Sequence, residues 1–237
     1  MAESECKQVA WYEDAEAVAQ GVPSMVHSYV AAAATAINAQ EGSVDLVWLA
    51  GATAFAFRIW VHKELCPSAT SVIDWFMPVG SLRQAGWSAQ FFSRLWWEGK
   101  LEEERREQAN AACREALAAG RLPVCWDICF EPEWAVIDAL NDDGTYACLA
   151  AGDRTTTFDP ARMGRRAVEI MSVTIIGERT SAPWDRSAIV VSLRSAVNHA
   201  RQGETILIVR PVLPLPLPRV VYGTVQRHHD GTPVPWR

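Results

Sequence analysis

Apolar positions follow two different periods along this chain. Over residues 28–39, "SYVAAAATAINA" is Ala-rich and uncharged, which predicts a helix opened by a Ser28 cap and closed by "EGS" at 41–43. The stretch 45–65 predicts a second helix, with Asp45 as its cap and Gly51, Ala52 and Ala54 small enough to let a neighbouring element come close. Pro67 then punctuates a loop, "CPSATSVIDWFM", that leads into a short helix or strand. Between 84 and 120, Trp87, Phe91, Leu95 and Trp96 fall on one helical face. Leu101, Ala109, Ala112 and Leu117 follow within a charged surround that Gly120 ends, so one or two amphipathic helices are expected there. The run "EEERRE" reads as a solvated face carrying i,i+4 ion pairs.

Beyond residue 120 the segments read as strands. "RLPVCWDIC" (121–129), "EWAVIDAL" (133–140) and "TYACLAA" (145–151) predict three strands, the last two joined by a tight turn at "NDDG" (141–144). A strand at 167–177, a helix at 185–203 and a strand at 204–210 follow. Helices first and an antiparallel sheet second describe an α+β domain over 1–210, with N-terminal helices packed on the sheet. From 211, "PVLPLPLPRVVYGTVQRHHDGTPVPWR" predicts an extended Pro-rich tail at 211–237, because proline cannot donate to a sheet ladder.

Composition narrows the function classes. The chain has 237 residues, 49% hydrophobic and 21% charged, which suits a packed core without staples. A net charge of -6 with dispersed acids disfavours nucleic acid, whose phosphates need a basic face. Acids at the N-terminus do not fit a secretory signal, and "GVPSMVHSYVAAAATAINAQ" is too polar for a membrane span, so a soluble cytoplasmic protein is expected. The six cysteines (Cys6, Cys66, Cys113, Cys125, Cys129, Cys148) are irregularly spaced and read as free buried thiols. Cys125 and Cys129 would lie about 13 Å apart along an extended strand, too far for a disulfide or a shared zinc. No metal or cofactor is expected, and a homo-oligomer stays open. The tail offers a third class of function, a structural subunit that uses "PVLPLPLP" as an interaction arm.

Of the five histidines, His27, His62, His199, His228 and His229, none falls in the predicted sheet, and no phosphate-loop, dinucleotide or zinc-protease motif occurs. Cys66, before Pro67, has His62 four residues earlier on the same helical face, an arrangement that activates a thiolate.

The segment "GRLPVCWDI…EWAVIDALNDDGTYACLAA…FDP" resembles the second half of papain-like folds of the bacteriocin-processing peptidase type. "MVHSYVAAAATAINA…DLVWLAGATAFAF" is similar to the start of the related butirosin-biosynthesis acyltransferase domain, in which a Cys opens an Ala- and Leu-rich helix. The resemblance covers roughly residues 22–160 and implies a papain-like α+β fold with three functional positions. Ser28 falls near the nucleophile's place, Glu133 falls where the family has histidine, and Asp153 or Asp159 falls where it has the orienting acid. A carboxylate near its ordinary pKa of about 4.3 is a weak base for a serine hydroxyl. His27 adjoins Ser28 in sequence, but successive side chains diverge. The expected function is therefore a papain-like protein without peptidase activity that binds a small molecule, peptide or acyl group, including one on an acyl carrier. The alternative is an acyl hydrolase or acyltransferase acting on an ester, amide or thioester, with Ser28 or Cys66 as nucleophile and Glu133 or His62 as base.

Overall fold

The computed structural model describes residues 27–42, 44–58, 75, 77–130, 132–150, 155–181 and 185–202. His62, Cys66, Asp153, the predicted strand 204–210 and the tail 211–237 lie outside the described residues. The chain is α+β: six strands form one antiparallel sheet with helices on both of its faces.

The first helix, α1 (Ser28–Glu41), is buried along Tyr29–Ile37 on all sides. A helix apolar all round belongs in the middle of a protein, and its alanines let the sheet approach the backbone closely. Thr35, its buried hydroxyl, donates to Ala31 O at 3.0 Å. Ser28 is not the cap: His27 occupies that position without a side-chain capping bond, and Ser28 is the first helical residue. Helix α2 (Leu46–Ala52) starts as the sequence predicts, with Asp45 Oδ1 accepting from Trp48 N at 2.8 Å, but ends early in a 3-10 turn at Phe55–Phe57.

The segment 84–120 departs most from expectation. Helix α3 (Met77–Ala85) stops at Gly86, whose φ of +102° turns the chain, and Trp87–Arg94 is then strand β1 rather than helix. The residues at 87, 91 and 95 match a helical period, but Trp87 and Ala89 inward with Ser88 and Gln90 outward match a strand period equally well. Pairing with a long partner strand decided between them. Helix α4 (Glu102–Ala118) is present, but its buried face carries Arg106, Ala109, Asn110, Cys113 and Ala116, while Leu101 is exposed. Arg106, 2% exposed, is thus not on a solvated face; it donates to Glu102, Glu103 and Met163 O.

Strands β2 (Val124–Trp126), β3 (Trp134–Leu140), β4 (Tyr146–Leu149), β5 (Thr155–Phe158) and β6 (Met171–Arg179) complete the sheet in the order β1-β6-β2-β3-β4-β5. The turn at 141–144 forms as predicted, with Asn141 N donating to Thr145 O at 2.8 Å. Strand β5 lies outside the strands read from sequence: its four residues, "TTTF", are too short to show a period. Val124 pairs with Val136 and Trp126 with Trp134 on the α1 side, whereas Cys125 pairs with Ala135 on the α4 side. Both faces are covered, so β3 opens with the uninterrupted apolar run "WAVI" instead of an alternating pattern. Helix α5 (Arg186–Gln202) packs on α2, α3 and the 3-10 turn.

Arg94 on β1 is buried and donates to Glu169 O and Gly164 O, holding the loop before β6. Gly164 has φ +74°, and a Cβ there would sit 2.9 Å from Met171 Cβ. Gly164→Ala is therefore expected to lower unfolding free energy by about 2 kcal/mol, from left-handed strain plus overpacking. Urea denaturation checks this; a loss under about 0.5 kcal/mol, the ordinary surface range, would refute it.

Among the described residues Cys113, Cys125, Cys129 and Cys148 are free and buried. Strand β2 ends at Trp126, and Asp127 with φ +54° bends the chain, so Cys125 and Cys129 do not share one extended strand. Burial first, then Cys113, drives the Cys125 thiol well above its usual range, and Cys129 and burial do the same for Cys148. Cys125 and Cys148 therefore stay protonated, and buried free thiols of this kind behave as packing groups.

Candidate functional site

The N-terminus of α1 meets the first residue of β3. The ring of Trp134 lies 5.4 Å from that of Tyr29 and 6.3 Å from that of His27, centroid to centroid. His27 also sits edge-on to Phe55 of the 3-10 turn at 4.4 Å, and Tyr29 stacks on the same Phe55 at 5.2 Å. The cluster extends through Trp126, edge-on to Trp134 at 4.5 Å, and Trp75, which contacts Trp126 at 5.0 Å and Trp134 at 5.6 Å. Cross-strand pairing of Trp126 with Trp134 is what sets two of these rings side by side.

Rings of this size bury large areas, but their polar tips need partners. Among the described residues the buried indole nitrogens of Trp75, Trp126 and Trp134 have no hydrogen-bond partner, and neither does Glu133 Oε2. An unmet buried donor costs about 1–3 kcal/mol, so three donors in touching rings oppose folding unless a bound acceptor satisfies them. Burial pushes the pKa of the Tyr29 hydroxyl up, with Thr174 on β6 acting the other way. Burial lowers His27 from 6.5 to about 4, with its own backbone acting weakly the other way, so its imidazole is neutral across the physiological range.

Ser28 and Glu133 are the chain neighbours of His27 and Trp134, whose rings are in contact. The structure thus brings both to one end of the α1–β3 pair. No hydrogen bond joins them, and among the described residues the buried Glu133 Oε2 has no partner. Asp159 is engaged elsewhere: its Oδ1 caps the 3-10 turn Pro160–Arg162 by accepting from Ala161 N at 2.9 Å. His62 and Cys66 fall outside the described residues, so their spacing has no geometry to set beside it.

Asp127 is a residue that sequence inspection passed over. Its backbone N donates to Glu133 O at 2.8 Å, its Oδ2 accepts from Val168 N at 3.0 Å, and Arg166 stands 3.6 Å from Oδ1. Burial raises its pKa against the pull of Val168 and Arg166. A charged residue within the apolar run "VCWDICF" was the available signal, since such a group is kept inside only when paired. Here it fastens the 165–170 loop to the end of β2, directly beside Glu133.

Among the described residues no group of His, Cys, Asp and Glu is arranged to hold a metal ion, and no helix is long and apolar enough to cross a membrane. Compared with known proteins, the chain matches no protein-family model, no curated protein and no solved structure.

Proposed function

We propose that this chain is a binding or accessory protein of papain-like architecture. At the meeting of α1 with β2 and β3 it would hold a small molecule, peptide or acyl group, without peptidase chemistry. The observation that carries this is the set of three buried indole N–H groups, on Trp75, Trp126 and Trp134, with no acceptor among the described residues. A ligand presenting carbonyl or carboxylate oxygens fits such donors, and the ring faces beside them suit its apolar part. The papain-like architecture is supported by a buried helix whose first turn packs on the first residue of β3 in an antiparallel sheet.

Absence of turnover is supported by the bases within reach. His27 is turned into the aromatic cluster, and with a pKa of about 4 it is a weak acceptor for a serine proton. Among the described residues Ser28 has no hydrogen bond to a base of the kind that activates a hydroxyl nucleophile. One observation favours the alternative, acyl hydrolysis or transfer: Ser28 is the first residue of a helix, where free backbone N–H groups stabilise an oxyanion.

A panel of p-nitrophenyl esters and acyl-thioesters separates the two. Hydrolysis at the background rate, with tryptophan fluorescence shifting on titration with the same compounds, is the expected result. Turnover above background that Ser28→Ala abolishes would overturn the binding reading and establish the alternative.

A further inference from the structure

Helix α5 is built inside out. Its small residues Ala188 and Ser192 face the protein, where Ser192 Oγ donates to Gly51 O on α2. Ile189, Val190, Val191, Leu193 and Val197 are exposed, Leu193 by 51% and Val197 by 47%. Val190, Leu193 and Val197 follow i, i+3, i+7 spacing, the seam on which a second helix packs, with a β-branched residue at each a position and Leu at d. Arg194 and Arg201 flank that seam, Arg186 stands at its N-terminal end, and the helix contains no acid.

We propose that this face is the docking site of the chain's own residues 1–26. Three features favour that occupant. The segment joins the fold at His27, whose ring touches Phe55 at 4.4 Å, and the 3-10 turn that carries Phe55 packs on α5. Twenty-six residues are ample to run along a helix of 17, about 25 Å long. The charges also match: residues 1–26 hold Glu3, Glu5, Glu13, Asp14 and Glu16 against Lys7 alone. Those acids come with Trp11, Ala15, Val18 and Ala19 at i, i+4, i+7 and i+8, a spacing that would give one apolar stripe if the segment docked as a helix.

The other occupants fit less well. Residues 203–237 bring Arg210, Arg219, Arg227 and Arg237 against Glu204 and Asp230, which sets like charge on α5. A second copy docked through the same seam would oppose Arg194 with Arg194 across the two-fold axis.

Hydrogen–deuterium exchange on the full chain tests this. Amides of residues 9–19 should exchange at least about tenfold more slowly than in a synthetic peptide of residues 1–26. Leu193→Glu should remove that protection while leaving the near-UV circular dichroism unchanged, because Leu193 is exposed. Arg194→Glu, a second surface change, should weaken protection, and Glu13→Arg added to it should restore it. Protection that neither variant alters overturns the proposal. So does protection lost on dilution together with a dimer-to-monomer change in light scattering, which would make a second copy the occupant. Changes confined to residues 203–237 would assign the face to the tail instead.

Discussion

Trp134→Ala should destabilise the protein by about 4 kcal/mol, near the upper range for a large aromatic removed from a core. The ring is buried and touches four others, those of His27, Tyr29, Trp75 and Trp126, so a truncation leaves a cavity with rigid walls. Each edge-to-face partner adds about 0.5–1.5 kcal/mol beyond area burial. Trp134→Phe should behave very differently, within about 1 kcal/mol of the parent, because the lost ring area is offset by removing an indole N–H that has no acceptor. Urea midpoints for the two variants check both statements. If Phe proved as damaging as Ala, the indole N–H would have to be satisfied in solution, and the support for a ligand would fall with it.

Acidification should then expose His27. Its pKa is held down to about 4 from 6.5 by burial, so the folded state keeps the imidazole neutral while the unfolded chain takes up a proton. The sign follows from linkage: stability is full above pH 6.5, drops by about 1.4 kcal/mol per unit below it, and levels off near pH 4 after a loss of about 3 kcal/mol. Asp127, whose pKa is raised by burial, acts in the opposite sense and is common to parent and variant. His27→Gln should therefore flatten the profile between pH 6.5 and 4.5 relative to the parent. Parallel profiles would mean that His27 titrates normally, and would return it to consideration as a base for Ser28.

Legibility varied with how much of each pattern was local. Helix α1, the Asp45 cap of α2, the turn at 141–144, strands β3 and β6 and helix α5 were all readable, since composition, capping and turn chemistry act within a few residues. Strand β1 was not. Trp87, Phe91 and Leu95 satisfy a helical period, and only pairing with β6 makes Trp87–Arg94 a sheet edge. Of the inward face of α4, Ala109, Ala112 and Leu117 were readable, but Arg106 and Asn110 were not: they are inside because Met163 O and Tyr146 supply partners from distant parts of the chain.

The candidate site divides along the same line. The residues 28 and 133 could be singled out from sequence, and so could an excess of tryptophan, 11 in all. That Trp134 rather than Glu133 supplies the ring against α1, that Trp75 and Trp126 join it, and that Asp127 binds the neighbouring loop were decided by strand register. Sequence by itself determined the α+β class and the local elements, because hydrophobic period and backbone propensity are properties of neighbouring residues. Tertiary structure alone decided which side chains meet at the end of α1 and which face of α5 is left outside. Those outcomes depend on contacts between residues tens to more than a hundred positions apart, which no local pattern encodes.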